Sequence, residues 1–235
     1  TLGRAKIRVL GEEAATEWDN LREIFFYLLA HHPSVARRDE IIDTFWPDAS
    51  PTNAGQSLKV ALYRLRRAFC QTRHEAGWYS LVLPDGYMYD AGQFQALATF
   101  VDDSDPPTPE RAADLRRAVD LYQGDYLPEY YSDWVMRERD RLKQLFSRIL
   151  LALGPYYEGS GNLAAALEVY QRCLNEDGYH EAAHQGMMRT YMALGDRHRA
   201  IQHFREMVQV LRRDLGIDPT VETQRLYQQI LQGTA

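Results

Sequence analysis

Four positions in one stretch of the chain recur together in the next. Tyr157, Gly161, Ala166 and Tyr170 return as Tyr191, Gly195, Ala200 and Phe204, each 34 residues further on. A tyrosine, a turn glycine, a small residue and an aromatic one turn later mark two helices that touch across a short turn. Leu153 and Gly154 fit the first helix of the earlier unit. A single unit of this kind cannot bury its own apolar face, so neighbouring units must stack into a layered solenoid. No other feature restricts the back half of the chain as much.

The spacing is that of tetratricopeptide repeats. Residues 110–122, 132–157, 163–175, 180–194, 197–215 and 220–231 read as helices. Gly161, Gly178, Gly195 and Gly216 separate them, and Pro219 follows the last break. Residues 94–101 read as a short helix. Residues 102–109, acidic and proline-rich, cannot form a helix interior and read as an exposed loop. The boundary is expected near residues 90–93, giving a front domain 1–92 and a back domain 93–235.

The front follows other periods. Residues 4–9 alternate and read as a strand, 10–13 as a turn and 14–18 as a second strand. Asp19 or Asn20 caps a helix to about Ala30, with Leu21, Ile24, Phe25, Leu28 and Leu29 inward. Pro33 breaks the chain. Residues 37–45 form a second helix that buries Ile41, Ile42 and Phe45, and Trp46-Pro47 ends it. A third helix covers about residues 52–70, capped by Thr52 or Asn53. Its Leu58, Leu62, Leu65 and Phe69 share one face, with Ala61 beside them. Residues 78–83 and 87–90, around Pro84-Asp85-Gly86, read as a hairpin. Two strands, three helices and a closing hairpin make a winged helix-turn-helix. The expected fold class is mainly α: an N-terminal winged helix-turn-helix with small β-hairpins, then an all-α tetratricopeptide-like domain.

Charge singles out the third helix. The chain carries −6 overall, yet residues 51–74 hold Lys59, Arg64, Arg66, Arg67 and Arg73 and no acid. Residues 1–90 have 11 bases against 12 acids, net −1, and residues 91–235 have 16 against 21, net −5. The back half therefore repels a polyanion, and any nucleic-acid contact must be local to the front. Opposite the apolar face stand Asn53, Gln56, Val60, Tyr63 and Arg67. Lys59 and Arg66 flank one side, Ser57 and Arg64 the other. Amide and guanidinium groups of this kind read base edges and grip phosphates. The plain alternative is a solvated basic helix. The expected partner is double-stranded DNA. Asn53, Gln56, Lys59, Tyr63 and Arg67 are the candidate base readers. Arg37, Arg38, Arg64, Arg66 and Arg73 are the candidate phosphate contacts.

Other classes find less support. No run of about 18 apolar residues and no basic-then-apolar leader occurs, so neither a membrane span nor a signal peptide is expected. Cys70 and Cys173 show no spacing motif, which points to a reducing, cytoplasmic setting. The chain begins at Thr1 rather than Met, as a processed chain or a piece of a longer one would. Neither a glycine-rich phosphate loop nor a G-x-S-x-G elbow is present, so no enzyme and no cofactor is expected. His180-Glu181-Ala182-Ala183-His184 has the H-E-x-x-H spacing of zinc peptidases. A third ligand is wanting: Met187 stands where that motif's longer form has glycine, and Glu206 is on another repeat helix. No metal is expected. Tyr126, Tyr130, Tyr131, Trp134, Tyr156 and Tyr157 read as core, with a ligand or partner pocket as the alternative.

The run DEIIDTFWPDASPTNAGQSLKVALYRLRRAF (residues 39–69) resembles the winged helix of the SARP family of bacterial transcriptional activators, which is itself similar to the OmpR-type domain. The matching features are Phe45-Trp46, the acidic, proline-containing turn 48–51, the run 64–69, and Gly86-Tyr87-Met88 at the wing's end. One departure is Asp85 at a wing tip where relatives often carry arginine. YQGDYLPEYYSDWV (122–135), MRERDRL (136–142) and DLGIDPTVETQRLYQQIL (214–231) resemble the activator domain that follows in that family. Together the two resemblances span nearly the whole chain in family order. They imply a third helix in the major groove and a wing on the neighbouring backbone or minor groove. The back domain would then serve oligomerisation, position the DNA reader or contact transcription machinery, with RNA polymerase subunits and a homodimer on DNA as candidate partners. The competing reading is a protein-interaction module whose winged helix docks a protein.

Overall fold

The computed structural model of the chain describes residues 1–4, 8–9, 12–13, 19–99 and 106–233. The chain divides into two compact units. One comprises Thr1–Gln93 with Gln123–Arg139, the other Phe94–Tyr122 with Asp140–Ala235.

The first unit opens with an antiparallel pair, β1 (Arg8–Val9) and β2 (Glu12–Glu13). The strand expected at 14–18 lies outside the described residues, and β2 falls where a turn was expected. Helix α1 (Asp19–Ala30) follows, then β3 (Ala36–Arg37), α2 (Arg38–Phe45) and α3 (Pro51–Ala68). Strands β4 (Gln71–Glu75) and β5 (Trp78–Val82) close the motif. The antiparallel order is β3-β5-β4, with Ala36 opposite Tyr79 and Arg73 opposite Ser80. This is a winged helix-turn-helix.

Helix α1 buries the expected Leu21, Ile24, Phe25, Leu28 and Leu29, and Phe26 and Tyr27 as well. A helix apolar on both sides needs a second partner. The later segment supplies it: Phe26 meets Tyr130 edge-on at 6.0 Å, and Tyr27 meets Trp134 at 5.2 Å. That segment is pinned by polar bonds without local precedent in the sequence. Arg139, 9% exposed, donates to the carbonyls of Tyr126 (2.9 Å), Leu127 (2.6 Å) and Tyr130 (3.0 Å). Trp134 Nε1 donates to Glu23 at 2.9 Å, and the Ser132 hydroxyl donates to the same carboxylate. The front unit thus takes in residues 123–139, beyond a division drawn at 92/93.

The hairpin differs from expectation. It is built at 71–82, not around Pro84-Asp85-Gly86. Ala76 and Gly77 both take positive φ, 49° and 87°, the conformation a two-residue turn needs to match strand twist. Pro84 and Tyr87 do close a turn (Tyr87 N–H to Pro84 O, 3.2 Å), but the chain leaving it enters helix α4 (Asp90–Leu97). That helix starts four residues before the expected 94–101. Helix α3 also begins earlier: Ser50, not Thr52 or Asn53, accepts from the Asn53 N–H, with Pro51 in the first position. It ends at Ala68, and Phe69 turns in against Phe25 at 5.0 Å.

The second unit holds helices α5 (Pro109–Leu121), α7 (Leu163–Glu176), α8 (Glu181–Ala193), α9 (Arg197–Asp214) and α10 (Val221–Gln232), together with the later part of α6 (Asp133–Gly159). The division between the units falls inside α6. The 34-residue period is visible in the backbone. Gly161 and Gly195 take φ of 74° and 75°, which favours glycine. Asn162 and Asp196 donate their N–H to Tyr157 O and Tyr191 O, each at 2.9 Å, and their side chains cap α7 and α9. Ala166 and Ala200 are fully buried. Tyr170 lies against two glycines: a Cβ added at Gly154 or at Gly186 would stand 2.2 Å from its Cζ. Its hydroxyl donates to Glu158 at 2.6 Å. In the next unit Phe204 stacks on Tyr227 at 3.8 Å.

Candidate nucleic-acid interface

Helix α3 has 18 residues, four bases (Lys59, Arg64, Arg66, Arg67) and no acid. Its buried side is Ala54, Gly55, Leu58, Leu62 and Leu65. That stripe seats it on the core of its own unit. With one turn every 3.6 residues, the other side is left outward.

All five candidate base readers stand there. Asn53, Gln56, Lys59, Tyr63 and Arg67 are exposed, Tyr63 by 58%. The Arg67 guanidinium lies 6.0 Å from the Tyr63 ring centre, so the pair forms one cationic, planar surface on consecutive turns. Val60, one turn before Tyr63, is 38% exposed.

The candidate phosphate contacts are spread over four elements. Arg64 and Arg66 are exposed on α3. Arg66 Nε donates to the Leu62 carbonyl at 3.1 Å, which holds the side chain along the helix. Arg37 and Arg38 sit where β3 passes into α2. The Arg37 guanidinium covers the Trp78 ring at 4.7 Å and keeps 62% of its side chain exposed. Arg38 has 43% of its side chain exposed, pairs with Asp39 at 3.2 Å, and lays its guanidinium over Gly55 of α3. Arg73 is exposed on β4. Sequence reasoning missed His74, exposed on β4 and stacked on Tyr79 at 4.4 Å, because it placed the hairpin elsewhere. Only one strand carried a signal, the alternation of 78–82 after Ala76-Gly77, since residues 71–75 are all polar. The turn of this hairpin bears Glu75 and no base, so the cations lie on its flank and not at its tip.

Glu181 and His184 of the H-E-x-x-H run are engaged structurally. Glu181 accepts from the Thr220 N–H (2.9 Å) and from the hydroxyls of Thr220 and Thr223. His184 is buried, with Nε2 3.0 Å from the Gly178 carbonyl and Nδ1 2.8 Å from His203. Among the described residues no three His, Cys, Asp or Glu side chains converge as a metal site would require. Burial lowers the His184 pKa, and burial with the neighbouring His184 charge holds His203 down to about 4.

Residues 89–231 match the family described as bacterial transcriptional activator domain, more than half of the chain. The chain belongs to that family. It is similar to regulatory protein AfsR of Streptomyces coelicolor, 26% identical over 232 residues, which covers 94% of this chain and 23% of that protein. It shares its fold with the structure of Mycobacterium tuberculosis EmbR in complex with a low affinity phosphopeptide. There the TM-score is 0.82 at 19% identity, over 98% of this chain and 63% of that one. The chain therefore spans less than a quarter of AfsR and less than two thirds of the EmbR chain.

Proposed function

We propose that the chain is a sequence-specific DNA-binding regulator of transcription, an activator of the SARP type, whose helix α3 lies in the major groove. One observation carries this reading. In a protein of net charge −6, α3 has no acid and exposes amide, phenol and guanidinium groups opposite its buried stripe. In the groove, Asn53, Gln56, Lys59, Tyr63 and Arg67 approach base edges, while Arg37, Arg38, Arg64, Arg66 and Arg73 neutralise phosphates. Kinship with a regulatory protein and membership of an activator-domain family agree with it. Residues 1–92, to which residues 123–139 are added in the first compact unit, form the DNA-binding domain. Residues 93–235 form the activator domain, which acts through oligomerisation, positioning of the reader or contact with RNA polymerase. No helix among the described residues is long and apolar enough to cross a membrane, which agrees with work in the cytoplasm, where the DNA is.

Exposed Val60 and Tyr63 favour a second reading, in which α3 docks a protein. Selection of bound duplexes from a random DNA pool separates the two. A DNA reader returns an enriched motif that Gln56→Ala or Arg67→Ala degrades. A pool that comes back unenriched removes the DNA reading.

A further inference from the structure

Gly55 is an odd residue for its place. It stands inside an 18-residue helix, where only proline is less favourable. It is buried, and no backbone approaches it closely enough to demand a glycine. A Cβ built there would meet only Arg38: Nη2 at 2.6 Å and Cζ at 3.9 Å. The missing side chain thus leaves room for one guanidinium. Arg38 reaches it from a fixed base. Its backbone N–H donates to the Gly77 carbonyl in the β4–β5 turn at 2.8 Å, and Nη1 pairs with Asp39 at 3.2 Å. The residue ties the hairpin turn, the start of α2 and the flank of α3 at one point. Its cation lies at the edge of α3's buried stripe, near Thr52 and Lys59, the exposed helical neighbours of position 55.

We infer that Gly55 is a positioning residue: a notch that seats the Arg38 guanidinium on α3, so that a charge borne by another element faces the same phosphate backbone as the reading helix. The inference rests on the DNA-binding reading. Its logic separates stability from binding. The atom that an alanine Cβ would strike is the free end of a flexible side chain, so the arginine moves and the helix stays. Alanine also favours the helix over glycine.

The test uses the whole chain, a fluorescein-labelled mixed-sequence DNA duplex and fluorescence anisotropy over a range of salt. Gly55→Ala and Arg38→Ala should each weaken binding roughly fivefold and make the salt slope shallower by about 0.9, the loss of one phosphate contact. The double variant should lose no more than either single one. Gly55→Ala should melt at or above the wild-type temperature. The inference is overturned if Gly55→Ala binds with wild-type affinity and slope, if the two losses multiply, or if Gly55→Ala lowers the melting temperature, since the helix and not the arginine would then have moved. A wild-type protein with a flat salt response removes the DNA reading itself. A steep wild-type slope with an unchanged Gly55→Ala removes the notch alone.

Discussion

Gly186→Ala tests the packing that makes the back of the chain a stack. Helix propensity alone says the change should help, by about 1 kcal/mol. The structure says otherwise. The new Cβ would stand 2.2 Å from Cζ, 2.3 Å from Cε1 and 2.5 Å from Cε2 of Tyr170, where ordinary contact begins at 3.4 Å. The ring cannot retreat. It is 1% exposed, its other side lies on Gly154 in α6, and Glu158 holds its hydroxyl at 2.6 Å. Burial and the adjacent Glu158 carboxylate raise the pKa of that hydroxyl, so it remains a donor. Overpacking a rigid contact costs about 1–3 kcal/mol, and this site belongs at the upper end, against which the propensity gain is set. The net loss should be about 2 kcal/mol, which lowers Tm by roughly 4–8 °C in a chain of this size. Thermal unfolding followed by far-UV circular dichroism reads it. Gly159→Ala, which meets nothing within 4 Å, is the control and should melt no lower than wild type. Adding Tyr170→Leu to Gly186→Ala should cost less than the two single changes summed. A Gly186→Ala protein that melts at or above wild type refutes the reasoning.

Two further outcomes are expected. The His184–His203 pair should make stability depend on pH. His203 is held down to about 4, whereas an unfolded histidine titrates near 6.5, so below about pH 6.5 the unfolded chain takes up a proton that the folded one refuses. Stability is therefore complete above that pH and falls progressively toward pH 4, by up to about 3 kcal/mol from this group. Urea unfolding of wild type and His203→Gln at about pH 7.5 and about pH 5 should show a smaller drop for the variant; equal drops would remove the assignment. On DNA, Arg67→Ala should cost about 1–3 kcal/mol and relax preference at one position, while Arg66→Ala should weaken all sequences alike. Competition between selected and random duplexes checks both.

Much of this architecture was legible because its signals are local. The helices of the repeats end where Gly161 and Gly195 permit a positive φ and begin where Asn162 and Asp196 cap them. Such signals need only a few consecutive residues. The exposed face of α3 followed from the period of Leu58, Leu62 and Leu65. The hairpin was not legible, because Pro84-Asp85-Gly86 is a stronger local turn signal than Ala76-Gly77. Nothing in the sequence says that Ala76 adopts φ of 49°. Nor did any local pattern indicate that Glu23 receives Trp134, a partner 111 residues away. The seat of Arg38 on Gly55 was hidden for the same reason. Its sequence trace was a lone glycine in a helical run, a feature that asks for a packing explanation.

The claim that α3 and its neighbours grip a duplex is tested most directly by the dependence of wild-type DNA affinity on salt. With about five phosphates neutralised, a plot of log affinity against log salt should fall with a slope of about −4 to −5. An affinity that hardly changes between about 50 and 200 mM salt would contradict it.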